Sequence, residues 1–254
     1  MKRTILIFFI IFINFSFAQK KELRKAQKLY DAGDLEGSSQ ILSDFQPLLE
    51  NIGDKLKPNY YLLKGKVAKD NKLFNEAFDV LIPLKGIESI EEDLERTLTL
   101  LAADIVNSAI DDNSKGDFKS SADKLYLAYE VDKEQNLDYL YFAASSAVNA
   151  SEFETALEYY TLLKEINYTG VITKYYVTEI DTDKETEVAK SEYDLYKKSK
   201  SYKNFREEKT DSKFPEIVKN IALIYAQMGD DDKAMSAVQE ARISSPNDIN
   251  LILT

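Results

Sequence analysis

The sequence predicts an all-α protein made of repeated helix pairs, with one insertion that contains strands. Its 254 residues include only 8 Gly and 5 Pro, whereas an all-β chain needs a turn about every 8 to 12 residues. A pair of small residues also recurs along the chain at a fixed spacing. Both observations favour helices that pack closely as antiparallel pairs.

The recurring pattern is a small residue followed 12 positions later by a second one. It occurs five times, as Ala26/Ser38, Gly65/Ala77, Ala109/Ser121, Ala144/Ala156 and Ala222/Ala234. Four positions after each second member stands an apolar or aromatic residue, namely Leu42, Leu81, Leu125, Tyr160 and Val238. Helices that cross closely have room only for Gly, Ala or Ser at the crossing. The pattern therefore predicts about five helix pairs.

The last copy of the pattern is the clearest. The residues that carry it are Val218, Ile221, Ala222, Tyr225, Gly229, Ala234, Val238, Ala241 and Pro246. This segment resembles a tetratricopeptide repeat (TPR). The resemblance implies a right-handed superhelix of about five repeats, which binds protein partners in a concave groove lined by the first helix of each pair. Together with the insertion before it, the segment is similar to exported TPR proteins of Bacteroidota.

The spacing between copies locates two additions to the array. Residues 87–101 precede the third pair and carry apolar residues at helical spacing, which predicts a lengthened first helix. Residues 171–214 separate the fourth pair from the last. They open with VITKYYVTEI, DTDKE and TEVAK, which predict a β-hairpin, and residues 191–199 predict a short helix.

These patterns divide the chain into five parts. They are a signal peptide at 1–18, repeats one to four at 19–170, the insertion at 171–214, a well-formed repeat at 215–248 and the start of a further repeat at 249–254. Since that last start is too short for a stable helix, we expect the chain to be the N-terminal part of a longer repeat protein.

The first 18 residues predict export. Lys2 and Arg3 precede an apolar run, and the small residues Ser16 and Ala18 follow it. The run is too short to cross a membrane, and no Cys follows that could carry a lipid. We therefore expect cleavage before Gln19 and no stable membrane insertion afterwards. The expected location is the periplasm or cell envelope, or outside the cell.

The composition excludes much of enzyme chemistry. The chain has no Cys and no His, which excludes a thiol nucleophile, a Ser-His-Asp triad and a His-ligated metal. The acidic clusters at 111–117 and 181–187 depart from the calcium-loop pattern. We expect no enzyme, no catalytic residue, no cofactor and no metal. The net charge of −11 disfavours nucleic acid as a partner.

The candidate partner-binding residues are outward-facing positions of the first helices. They are Lys66, Lys69, Tyr141, Ser145, Asn149 and Lys219, with Tyr30 and Asn113 as further members of the same set. The resemblance implies that an extended peptide or a partner's helix lies against this face. The alternative is that these side chains are merely solvated.

Residues 195–206, LYKKSKSYKNFR, carry five basic and three aromatic residues without an acid. Such a segment can bind single-stranded nucleic acid or an anionic glycan. Acids flank it, however, and this favours a solvated insertion that docks on its own repeats. The alternative function is therefore an envelope glycan-binding protein with TPR-like helical repeats. Sugar-binding proteins of that type usually use Trp, and this chain has none.

Overall fold

The computed structural model of the chain describes residues 19–51 and 56–244. The predicted signal peptide at 1–18 and the predicted start of a further repeat at 249–254 lie outside the described residues. The chain divides into two compact units, with unit 1 ending at Tyr139 and unit 2 beginning at Leu140. The five-part division made from the sequence stays a prediction.

Unit 1 consists of helices. They are α1 (19–31), α2 (Leu35–Phe45), α3 (Lys57–Asp70), α4 (Phe74–Leu81), α5 (Glu91–Ser114) and α6 (Phe118–Val131). Short 3-10 helices follow α2 at Gln46–Asn51 and connect α4 to α5 at Ile82–Leu84 and Glu88–Ile90. With 24 residues, α5 is much longer than the 14-residue α6 beside it, so the predicted lengthened helix is confirmed.

Unit 2 combines helix pairs with a small sheet. Its elements are α7 (Leu137–Asn149, from Leu140 onward), α8 (Phe153–Glu165), β1 (Thr173–Glu179), β2 (Glu185–Val188), α9 (Lys190–Tyr196), β3 (Tyr202–Lys209), α10 (Phe214–Gln227) and α11 (Asp231–Ser244). Among the described helices, none has the length and apolar character to span a bilayer.

The same left-handed turn joins the two helices of each described pair. The turn residues are Gly33, Lys72, Gly116, Ser151 and Gly229, with φ between 60° and 81°. In each turn the next backbone N–H donates to the carbonyl five residues earlier, as from Asp34 to Leu29 at 2.9 Å. This arrangement is the Schellman motif, which satisfies carbonyl groups at a helix end. One turn geometry therefore recurs in both units.

The small residues of the recurring pattern lie at the helix crossings. Nine of the ten are buried and Ala234 is half-buried. Gly65 shows the reason most directly, because a Cβ at this position would overlap the side chain of fully buried Leu81. The prediction that close crossings require small residues is confirmed here.

The strands form one antiparallel sheet in the order β2-β1-β3. The predicted hairpin is present, with Tyr175 opposite Val188 and Thr178 opposite Glu185. The third strand, Tyr202–Lys209, was not predicted. It pairs with β1 on the other side, and a bulge shifts the register between Tyr176 and Thr178.

The basic and aromatic segment 195–206 is thus the end of α9 and the start of β3. The ring of Tyr193 in α9 is only 2% exposed and lies 5.6 Å from that of Phe205 and 4.9 Å from that of Tyr175. The expectation that this segment docks on the helical repeats stays a prediction. Its Phe205 packs against α9, within the insertion itself.

Candidate partner-binding faces

Charged and hydrogen-bonding side chains connect the first helices of unit 1, and we call them the unit 1 row. Its members are Tyr30 on α1, Lys66, Lys69 and Asp70 on α3, and Asp93, Arg96 and Asp104 on α5. The hydroxyl of Tyr30 donates to Asp70 Oδ2 at 2.7 Å. The ammonium of Lys69 pairs with Asp70 and, at 3.2 Å, with Asp104 Oδ2. Helix α3 is thus joined to both α1 and α5.

A second branch of the unit 1 row centres on Asp93. Lys66 Nζ lies 2.5 Å from Asp93 Oδ2, and an Arg96 guanidinium nitrogen lies 2.6 Å from Asp93 Oδ1. Burial by itself raises the pKa of Asp93, but the hydrogen bonds from Lys66 and Arg96 outweigh it, so this pKa lies below its usual value. The carboxylate is therefore held in its charged form by two cations.

Lys69 is the most buried of the candidate binding cations, at 8% exposure. Burial alone lowers the pKa of Lys69, whereas the hydrogen bonds and charges of Asp70 and Asp104 raise it more. Burial, followed by the hydrogen bond to Asp70, raises the pKa of Tyr30 well above its ordinary range. At neutral pH the Lys69 ammonium is therefore charged and the Tyr30 phenol is protonated. The predicted binding lysines of unit 1 are thus engaged within the chain.

In unit 2 the corresponding connection is neutral, and we call Ser145, Tyr160 and Asn220 the Tyr160 network. The Tyr160 hydroxyl lies 3.0 Å from Ser145 Oγ on α7 and accepts from Asn220 Nδ2 on α10, also at 3.0 Å. The residue itself is 1% exposed. Three helices therefore meet at one buried hydroxyl, and its hydrogen bonds are satisfied by neutral groups.

Tyr141 packs beside this network and is 7% exposed. Its ring lies 6.3 Å from the rings of Tyr160 and Tyr168, and Lys213 Nζ lies 4.3 Å from its centre. Burial, followed by a hydrogen bond with the Glu216 carboxylate, raises the pKa of Tyr141 above its ordinary range. The ring is thus a packed part of unit 2.

The remaining candidates lie nearer to solvent. Asn149 and Asn113 are exposed at the ends of α7 and α5, and Lys219 is half-buried on α10. Within the described residues Lys219 has no ion-pair partner. The structure therefore brings Tyr141 and Ser145 together and places Lys66 and Lys69 on the same helix. The binding roles of all these residues stay predictions.

The sequence did not predict a cleft of about 710 Å³ in unit 1, which we call the α5 cleft. It lies between the first half of α5 and the segment after α6. Its apolar residues include Leu98, Ala102 and Val131, and its acidic residues are Glu91, Glu95 and Asp132. The unequal lengths of α5 and α6 were the signal that could have located it.

In the part of the chain that the structure describes, no group of three or more Asp or Glu side chains is placed to hold a metal ion. The acidic segment at 111–117 instead serves the turn between α5 and α6. There Asp117 Oδ1 accepts from the backbone N–H of Ser120 at 3.1 Å and so caps α6.

Comparisons with known proteins give structural likenesses. No family model matches the chain, and no curated protein matches it. The solved structure of MamA is similar, with 16% identity over 85% of this chain and 91% of that chain and a TM-score of 0.34. TTC0263, a TPR protein of Thermus thermophilus, has 14% identity over 92% of this chain and 95% of that chain, with a TM-score of 0.33. YrrB, a TPR protein with an unusual peptide-binding site, has 13% identity over 95% of both chains, with a TM-score of 0.34.

Proposed function

We propose that this protein is a non-catalytic scaffold that binds a protein or peptide partner on the first helices of its pairs. The observation that carries the proposal is the recurring helix pair, with one turn geometry and small residues at the crossings. Proteins built from stacked helix pairs expose extended surfaces and use them for binding. The absence of Cys and His from the sequence supports a role without chemistry.

The contacts within the chain indicate which of the predicted binding positions are more accessible to a partner. Lys66 and Lys69 form ion pairs with aspartates of unit 1, and Tyr141 is buried against other aromatic rings. Lys219 and Asn149 are more accessible. A partner that uses the predicted groove should therefore depend on Lys219 and Asn149 more than on the three engaged residues.

The proposed place of action is the cell envelope, reached by export. Support comes from the sequence of residues 1–18, with its basic start, short apolar run and small residues before Gln19. The partner would then be an envelope or secreted protein. N-terminal sequencing of the protein recovered from its source cells should begin at Gln19, and retention of Met1 would contradict export.

Partner capture tests the scaffold proposal. The chain from Gln19 onward is immobilised, exposed to envelope extract and analysed for bound protein and glycan. We expect one protein to be captured in stoichiometric amount. Its capture should be lost when Lys219→Glu reverses the charge at this position on α10. Lys184→Glu is the matched control, because Lys184 is exposed in the insertion outside residues 195–206 and has no ion-pair partner among the described residues. Polysaccharide retained without protein would overturn the scaffold in favour of glycan binding.

A further inference from the structure

We propose that the α5 cleft binds a short extended segment of a partner protein that carries Lys or Arg at alternate positions. This inference rests on the proposed scaffold function and specifies the chemistry of the segment. None of the described residues that the sequence predicts for binding lines the α5 cleft. Four features of unit 1 support it, namely unequal helix lengths, net negative charge, the spacing of the acids and the volume of the cleft.

The α5 cleft exists because α6 ends early. At 1.5 Å per residue, the 24 residues of α5 span about 36 Å and the 14 residues of α6 about 21 Å. Helix α6 runs antiparallel to α5 and stops at Val131, so the first part of α5 extends beyond it. A cleft lies beside that part of α5, with Leu98 and Ala102, each 6% exposed, among its lining residues.

The net charge of the α5 cleft is negative. Glu91 and Glu95 are exposed and have no ion-pair partner within the described residues. Lys85 alone is basic among the described lining residues, and its single positive charge stands against three acids. The carbonyl end of α6 adds further negative potential. The α5 cleft therefore attracts a cation from outside unit 1.

The acidic residues also have a spacing that an extended chain matches. Glu91 and Glu95 are four residues apart on α5, which separates them by about 6 Å along the helix. Side chains at alternate positions of an extended segment are about 6.6 Å apart and point to the same side. Two alternate basic residues can thus face both glutamates.

The volume of the α5 cleft favours an extended segment over a helix. A helix with side chains is about 10–12 Å wide, so one turn fills roughly 500 Å³. The α5 cleft, at about 710 Å³, would hold little more than one turn, and so short a helix is not stable. The same volume lies within the roughly 300–1,000 Å³ that is usual for ligand sites.

Two labelled probe peptides of equal charge test the inference on the chain from Gln19 onward. The first is acetyl-Ser-Arg-Ser-Arg-Ser-amide, with alternate arginines, and the second is acetyl-Ser-Arg-Arg-Ser-Ser-amide, with adjacent ones. Fluorescence anisotropy should show tighter binding of the alternate peptide. Removing both charges with Glu91→Gln and Glu95→Gln should weaken that binding about tenfold, because two ion pairs are lost.

The matched control is Glu154→Gln with Glu158→Gln. These exposed acids have the same spacing on α8, and Glu154 lies in the first turn of its helix as Glu91 does. The control should keep its affinity within about twofold of the unchanged protein. Equal weakening by both double variants would show long-range attraction alone and overturn the inference. Equal binding of the two peptides would overturn it as well.

Failure of the scaffold proposal is distinguishable from failure of this inference. A probe that binds as expected, while envelope extract yields no partner, would overturn the scaffold and leave the peptide specificity of the α5 cleft standing. A partner that is captured equally well by the Glu91→Gln and Glu95→Gln double variant would overturn the α5 cleft as its docking site. Circular dichroism of each variant confirms that the helices are intact, since the replaced side chains are exposed.

Discussion

The unit 1 row and the Tyr160 network connect their helices with different chemistry. In unit 1, Lys69 on α3 pairs with Asp104 on α5, and the Asp104 side chain is 45% exposed. In unit 2, Tyr160 on α8 forms hydrogen bonds with Ser145 and Asn220 and is 1% exposed. Charged groups, some of them near solvent, thus form the unit 1 row, and neutral groups away from solvent form the Tyr160 network.

Because of this difference, the stabilising contribution of each network should respond differently to salt concentration and to pH. Ion pairs at a partly exposed surface weaken as salt rises and as their acids become protonated. A buried network of neutral hydroxyl and amide groups is shielded from both. The unit 1 row should therefore lose stabilising energy in acid or salt, whereas the Tyr160 network should not.

The largest expected effect tests the packing that both units share. Gly65→Val places a branched side chain where a Cβ already overlaps Leu81, which is fully buried and cannot move freely. We expect a loss of about 1–3 kcal/mol in the free energy of unfolding, because the crossing of α3 and α4 is overpacked. Urea unfolding monitored by circular dichroism measures this loss.

Ala226→Val is the control for Gly65→Val. Ala226 is also in a helix but is exposed on α10. Its replacement should change the free energy of unfolding by about 0.5 kcal/mol or less, which reflects helix propensity alone. If the two valines were equally tolerated, small residues at the crossings would not be a requirement of the fold.

The next effect concerns the neutral connection in unit 2. Tyr160→Phe removes the hydroxyl that lies 3.0 Å from both Ser145 Oγ and Asn220 Nδ2. We expect the free energy of unfolding to fall by about 1 kcal/mol, since one buried acceptor is lost and its partners are left without it. The loss should be the same at about 0.1 M and about 1 M salt.

Tyr129→Phe controls for the loss of a phenol as such. Tyr129 is half-buried on α6, and its hydroxyl makes no hydrogen bond within the described residues. This variant should unfold at nearly the same urea concentration as the unchanged protein. A loss on Tyr160→Phe that disappeared in high salt would show that charge, and not the hydroxyl, stabilises unit 2 at this point.

Local patterns made much of the helical frame predictable. Gly65 and Ala77 could be assigned to a crossing because small residues recur at one spacing, and the hairpin followed from a β-branched run and a polar turn. The strand Tyr202–Lys209 was missed because YKNFREEK is polar and lacks clear alternation. Its place depends on pairing with β1, which lies about 30 residues earlier and is not visible in local sequence.

The candidate sites were less predictable because their chemistry depends on partners from other helices. The sequence predicts that Lys69 is an outward-facing cation, yet it pairs with Asp104 on α5, which is 35 residues away in the chain. The sequence predicts that Tyr141 lies on the surface of the groove, but its ring is buried beside Tyr168. The α5 cleft depends on where α6 ends relative to α5. Spacing within one helix cannot reveal any of these relations.

The smallest expected effect isolates the charged connection of unit 1 through pH. The pKa of Asp93 is lowered in the folded chain, since hydrogen bonds from Lys66 and Arg96 outweigh the opposing effect of burial. A carboxyl group whose pKa is lowered on folding stabilises above its unfolded pKa of about 3.9, and that stabilisation is lost as pH falls through the folded pKa. Asp93→Asn should therefore unfold more easily than the unchanged protein at pH 7, and the difference should shrink below about pH 4.

Asp79→Asn, at an exposed position on α4 without an ion pair among the described residues, should show no such change. Urea midpoints at pH 7 and about pH 3 distinguish the two variants, and a pH-independent difference for Asp93→Asn would mean that packing, and not charge, holds α3 to α5 at this point.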